Sequence, residues 1–221
     1  MISTVVFDLD DTLYNEREFV LGAFKEVAIY LSISYGIDYR DIIDYMEYIL
    51  INQGRKLIFN KVCEKYSIHE DIQKLVEIYR NARPKLKLYE DAKLIIEWLN
   101  IKKYNTGIIT DGISRVQWNK IKSLKIDRLI GKIVVSDDLG QDSWKPSTKP
   151  YEQILDYFRC KGNECVYIGD NPLKDFIGAK KMGFKTVRIR REIGDNMKLV
   201  VNNDIDADYS INKLFDLKLI L

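Results

Sequence analysis

Five short β-rich runs constrain this chain more than any other feature: Thr4–Phe7, Thr106–Ile109, Lys132–Val135, Cys165–Ile168 and Thr186–Ile189. Helical-period segments separate the later ones, at Ser114–Leu124, Pro150–Phe158 and Leu173–Met182. Strands that alternate with helices favour a parallel sheet with right-handed crossovers. The expected class is therefore α/β, a doubly wound, Rossmann-like parallel sheet. The ending, Ala207–Ile211 followed by Leu214–Leu221, reads as a short edge strand and a closing helix.

The alternation is interrupted once. From about Glu16 to Arg83 the pattern is helical only. Phe19, Phe24, Val27, Ala28 and Leu31 fall on one face of a first helix. Asp41–Ile51, Leu57–Tyr66 and His69–Arg83 read as three more, punctuated by Gly36, Gly54 and Ser67 and stopped by Pro84. Glu90–Asn100 then leads as a helix into the second strand. An insertion of roughly 70 residues is too long for an ordinary connection. The chain is expected to divide into an α/β core, residues 1–14 plus 86–221, and an all-helical module, residues 15–85. A module entered directly after the first strand is placed to act as a lid; an enlarged helical layer with no gating role is the alternative.

Composition removes several function classes. Net charge is +2, which gives no electrostatic case for nucleic acid or an anionic membrane. No apolar run approaches the ~20 residues of a membrane span. The start lacks the basic region of a signal peptide, and the three scattered cysteines (Cys63, Cys160, Cys165) suit reduced thiols in the cytoplasm. The one histidine, His69, lies in a polar stretch, which disfavours histidine-based zinc sites and Ser-His-Asp triads. Any catalysis must rest on carboxylates, lysines and hydroxyls, with or without a hard cation.

Four segments supply such groups. In Val5-Val6-Phe7-Asp8-Leu9-Asp10-Asp11-Thr12-Leu13 an apolar strand ends in two carboxylates two residues apart. Asp8 and Asp10 share a face of the extended chain, a costly pairing unless a cation or a shared proton relieves it. The plain structural alternative is a turn in which Asp10 or Asp11 caps the next helix. In Gly107-Ile108-Ile109-Thr110-Asp111-Gly112 a strand ends in a hydroxyl beside backbone N–H groups suited to phosphate oxygens; helix capping competes. Trp144-Lys145-Pro146-Ser147-Thr148-Lys149-Pro150-Tyr151 holds a restrained lysine able to offset carboxylate and phosphate charge; a solvated loop lysine competes. Val166-Tyr167-Ile168-Gly169-Asp170-Asn171-Pro172-Leu173-Lys174-Asp175 delivers Asp170 at a strand end and a second acid five residues on, ligands of the kind Mg²⁺ prefers; an Asp-Asn-Pro turn competes. Topology favours the functional readings. If the first strand is central and the Thr110 and Asp170 strands flank it, all these groups meet at the crevice where the winding reverses.

The ordered quartet resembles the haloacid dehalogenase (HAD) superfamily: Asp8-Leu9-Asp10-Asp11-Thr12-Leu13 its DxDxT motif, Thr110 its strand-end threonine, Lys145 its lysine, and Gly169-Asp170 with Asp175 its GDxxxxD motif. The helical insertion resembles the cap of the C1 subgroup. The resemblance implies that Asp8 is the nucleophile and Asp10 the general acid/base. It implies Mg²⁺ held by Asp8, the backbone carbonyl of Asp10 and Asp170, with Asp175 behind them. Thr110, the amide of Asp111 and Lys145 are implied to grip a phosphoryl group. Two positions depart from the family pattern. Asp11 replaces a small residue, and the Lys-Pro-x-Pro spacing is altered, so Lys145 is favoured while Lys149 stands as the alternative.

The implied activity is Mg-dependent hydrolysis of a small phosphorylated metabolite through an aspartyl-phosphate. Sugar or polyol phosphates, phosphoglycolate and nucleoside monophosphates are the substrate classes. A monomer or homodimer without nucleic-acid or membrane partners is expected. The rivals are a haloacid dehalogenase, against which Asp10 argues, a phosphosugar mutase, and a non-catalytic binding protein of the same fold. Arg55, Lys56, Asn60, Lys61, Arg80 and Arg83 are candidate substrate readers in the insertion, and Trp118 and Trp144 are candidate crevice neighbours.

Overall fold

A computed structural model describes residues 1–221, apart from the side chain of Gln141. The chain forms two compact units, one of Met1–Glu16 with Leu86–Leu221 and one of Arg17–Lys85.

The first unit holds a six-stranded sheet of β1 (Thr4–Phe7), β2 (Asn105–Thr110), β3 (Lys132–Val135), β4 (Cys165–Gly169), β5 (Lys185–Ile189) and β6 (Tyr209–Ile211). The order is β3-β2-β1-β4-β5-β6 and every pairing is parallel. The sheet is the doubly wound one expected from the strand–helix alternation. β1 is central: Phe7 pairs with Ile108 on one side and Ile168 on the other. That register puts Asp8, Thr110 and Asp170 just beyond the same row, at the carboxyl edge where the winding reverses. β1 and β4 are buried throughout, as strands covered on both faces must be. Val6, Ile109, Tyr151, Ile154, Tyr167 and Phe176 pack together on one side of this sheet.

Three elements differ from the sequence expectation. The helix expected from Leu173 begins only at Asp175 (α8, Asp175–Lys181), because Asn171 Oδ1 accepts the Leu173 amide and the chain turns before it coils. The closing helix is a 3₁₀ segment, Leu214–Leu219. The helix expected from His69 starts at Ile72, where the Asp71 carboxylate caps the Gln73 amide.

The second unit is helical throughout: α1 (Glu16–Tyr35, entered from the first unit), α2 (Tyr39–Gln53), α3 (Ile58–Lys65) and α4 (Ile72–Asn81). Phe19, Phe24, Val27, Ala28 and Leu31, the face read from the periodicity, are all buried. They are joined by Ile42, Met46 and Ile49 of α2, Ile58, Val62 and Cys63 of α3, and Leu75 of α4. Asp38 caps α2 through the Arg40 amide, and Gly54, at φ 81°, ends it. α5 (Glu90–Ile101), α6 (Ser114–Leu124) and α7 (Lys149–Phe158) complete the first unit together with α8.

Candidate active site

Asp8 leaves β1 3 % exposed, with Lys145 fixed above it. Lys145 Nζ donates to Asp8 Oδ1 at 2.5 Å, to Asp175 Oδ1 at 2.7 Å and to the Tyr167 hydroxyl at 2.9 Å. An ammonium has three N–H bonds, and these partners account for all of them. Lys149, the alternative lysine, is exposed at the start of α7. Burial works against the Lys145 charge, but Asp175 and Asp8 outweigh it and hold its pKa well above the ordinary lysine value.

Asp8, Asp170 and Asp175 each offer a carboxylate oxygen within 4.8 Å of the others, and all three are buried. Burial is the main cause that pushes Asp8 up to about 7, against the pull of Lys145. Burial, then the Asp175 and Asp8 charges, pushes Asp170 up to about 8. Three buried acids facing one lysine carry excess negative charge, the situation that a hard, oxygen-preferring divalent cation relieves. The donor set fits Mg²⁺. Asp175 is tied at both oxygens, by Lys145 and by the Asn171 amide (2.9 Å). The glycine before Asp170 is required by this packing, since a Cβ at Gly169 would overlap the Asp175 carboxylate. A Cβ at Gly178 would press on Tyr151 and on the Pro146 and Ser147 carbonyls, so α8 reaches the lysine loop only at a glycine.

The Asp10 side chain turns elsewhere. It takes Lys120 Nζ at both oxygens (2.8 and 2.9 Å), the Tyr14 hydroxyl at 2.5 Å and Gln117 Nε2 at 2.9 Å. Burial opposes its charge, but Lys120 and these donors prevail and hold its pKa below the usual carboxylate value. Lys120 also reaches Glu16 at 3.2 Å. Burial and the Asp10 charge keep the Tyr14 hydroxyl protonated far above its ordinary range, so it remains a donor. Thr110 is buried at the end of β2, where its Oγ1 accepts Gln117 Nε2 at 2.8 Å. Asp111 follows: its carbonyl also accepts from Gln117, and its Oδ1 accepts the Lys145 amide at 3.2 Å.

Sequence reasoning missed Gln117, Lys120 and Tyr14. The available signal was a helix opening directly after the Thr110 turn, with Gln117 and Lys120 three residues apart and so on one face. It also missed the segment after β5. Arg188 is 1 % exposed in β5, and its Nη2 donates to the Asn196 and Leu199 carbonyls, each at 2.9 Å. Asn196 Nδ2 donates to Asp170 Oδ2 at 2.9 Å. Arg191 Nη2 donates to the Thr12 carbonyl at 2.7 Å, and the Asp195 amide to Asp11 Oδ2 at 3.2 Å. Asp11, the departure from the family pattern, sits left-handed at φ 53°, and burial is the main cause that lifts its pKa to about 6. Trp118 and Trp144 direct their ring N–H groups to Asp138 and Asp137.

In the helical unit a cavity of about 370 Å³ is lined by apolar side chains with Arg55 and Asn60 among them. Arg80 pairs with Glu77 at 3.9 Å, and Lys61 bonds Gln53. No helix among the described residues is long and apolar enough to cross a membrane.

A parallel sheet carrying a carboxylate–lysine cluster at its switch point defines a Rossmann-like enzyme core. The chain belongs to the haloacid dehalogenase-like hydrolase family, which it matches over residues 5–189. It is similar to the glyceraldehyde 3-phosphate phosphatase of Methanocaldococcus jannaschii, 30 % identical over 98 % of this chain and 96 % of that one. It is also similar to the pyrophosphatase PpaX of Bacillus mycoides, 28 % identical over 100 % of this chain and 97 % of that one. Among solved structures, a HAD phosphatase from Thermococcus onnurineus superposes with a TM-score of 0.66 at 26 % identity, covering 99 % of this chain and 97 % of that one.

Proposed function

We propose that this protein hydrolyses a small phosphomonoester, with magnesium, through a phosphoryl group carried on Asp8. The observation that carries the reading is the buried set of Asp8, Asp170 and Asp175 facing Lys145 at the carboxyl edge of the sheet. The phosphatases among its relatives support it.

Asp8 attacks phosphorus in line; an O–P bond to the carboxylate forms as the ester P–O bond breaks. Asp10, held ionised in the free protein, takes up a proton as the negatively charged phosphate enters and gives it to the departing oxygen. It then takes one from the water that attacks the aspartyl-phosphate and restores Asp8. Lys145 fixes Asp8 and offsets its charge. Thr110 and the amide of Asp111 orient the phosphoryl oxygens. Asp8, the Asp10 carbonyl and Asp170 would hold a magnesium ion, which would supply the remaining charge neutralisation. Asp175 anchors Lys145 and shapes the ion's surroundings. Residues 15–85 are the proposed cap that reads the rest of the substrate, with Arg55 and Asn60 the first residues to vary. The proposed setting is the cytoplasm, as a monomer or homodimer.

A panel of phosphorylated metabolites tests this. It contains glyceraldehyde 3-phosphate, phosphoglycolate, sugar and polyol phosphates, nucleoside monophosphates and pyrophosphate, with released phosphate as the signal. Release that requires magnesium, and a beryllofluoride adduct at Asp8, are the expected results. Equal release without metal overturns the reading, and isomerised product without phosphate identifies a mutase instead.

A further inference from the structure

We infer that Gln117 and Lys120 of α6 are positioning residues for the acid–base step, fixing the Asp10 carboxylate relative to Thr110. The inference rests on the functional reading above and extends it to two residues that the motif comparison does not touch.

The case is geometric. A carboxylate has about four lone-pair sites. Three of the four hydrogen bonds to Asp10 come from one face of α6: one from Lys120 to each oxygen and one from Gln117 to Oδ2. The fourth comes from the Tyr14 hydroxyl, a rotor that can turn its hydrogen away when Asp10 carries a proton. The α6 contacts therefore set the plane of the carboxylate, while the Tyr14 contact can change with protonation. Gln117 Nε2 reaches Thr110 Oγ1 at 2.8 Å as well as Asp10 Oδ2 at 2.9 Å. Its two N–H bonds are shared among these and the Asp111 carbonyl, so one amide ties the position of the acid–base group to that of a phosphoryl-orienting hydroxyl.

A purely structural role explains these residues poorly. Lys120 is 3 % exposed and Gln117 1 %. A buried ion pair seldom adds stability over apolar side chains of the same size. What a fully hydrogen-bonded pair does give is a fixed orientation, and proton transfer to a leaving oxygen is sensitive to small misplacements of the donor.

The test is the leaving-group dependence of kcat/KM across aryl and alkyl phosphates. An oxygen that leaves as a weak base needs little help from an acid; one that leaves as a strong base needs much. Lys120→Met and Gln117→Met are expected to lose about 10²-fold on alkyl phosphates and under tenfold on p-nitrophenyl phosphate. The dependence therefore steepens toward that of Asp10→Asn. A structural lesion lowers every substrate by the same factor, and that parallel shift, or an unchanged profile, overturns the inference. If Lys120→Met does not fold, judged by its thermal melt, the slope of Gln117→Met decides. A wild type whose own slope is not steepened by Asp10→Asn, or that releases no phosphate from any of these esters, overturns the reading beneath. Steepening by Asp10→Asn alone overturns only the inference drawn for α6.

Discussion

Asp8 and Asp10 are two residues apart, share one turn and meet opposite surroundings. Asp8 lies among two other acids with one lysine between them, and its pKa is pushed up to about 7, chiefly by burial. Asp10 takes Lys120, which it shares with Glu16, together with Gln117 and Tyr14, and these outweigh burial and hold it below the usual carboxylate range. The same side-chain type thus meets two different electrostatic environments. One pocket is short of positive charge, which a cation would offset; the other draws its counter-charge from Lys120 within the chain. Where two carboxylates divide the roles of nucleophile and acid, the acid is the one whose pKa is usually raised. Here the ion-free order is reversed, so the proposed roles require a cation beside Asp8 and a proton brought to Asp10.

The contrast can be broken most severely at Asp8. Asp8→Asn is expected to lower steady-state phosphate release by at least about 10⁴-fold while leaving the melt intact. Chelation with EDTA follows, with a loss of about 10³-fold that added magnesium reverses. Lys145→Met leaves Asp8 and Asp175 buried without their counter-charge. Calorimetric unfolding of the ion-free protein is expected to show a loss of about 3–5 kcal/mol.

The pH dependence sharpens the comparison further. With Asp8 at about 7 and Asp170 at about 8, the ion-free protein keeps protons that the unfolded chain has released above about 4. Folded pKa values above the unfolded ones mean that this contribution is complete below about pH 4 and is lost as pH rises through 7 to 8. Magnesium must displace the same protons. Its affinity is expected to climb by up to about tenfold per pH unit for each proton displaced between pH 6 and 8, then to level off. Calorimetric titration in buffers of different ionisation enthalpy counts those protons; pH-independent affinity contradicts the arrangement. The smallest effect is expected at Lys149→Ala, which changes kcat less than about twofold because that lysine is exposed.

The sheet was legible because a parallel strand covered on both faces must be a short apolar run, and each of the five read from the sequence is a strand. Asp8, Thr110 and Asp170 were legible for a related reason: chemistry at the switch point sits immediately after such runs. Residues that act from within a helix gave no comparable cue. Lys120 looks in sequence like any polar position of α6, and only the fold shows it reaching Asp10 across 110 residues of chain. Arg188 was hidden differently, as a charged residue inside a buried strand whose partners, Asp206 and two carbonyls, lie in the following loop. The 3₁₀ ending and the late start of α8 were lost to local turn chemistry, which apolar periodicity does not resolve.

Arg188 has a consequence for how this chain tolerates change. Its guanidinium moors the segment after β5 by two carbonyls, and the same segment hands an amide to Asp170. That loop therefore has a set length as well as a set composition. An inserted or deleted residue between 189 and 196 would shift Asn196 along the strand axis and tug directly on a carboxylate of the proposed ion site. Length variation in this lineage is accordingly expected to accumulate between 200 and 205, after the two carbonyls and before Asp206, which Arg188 also holds.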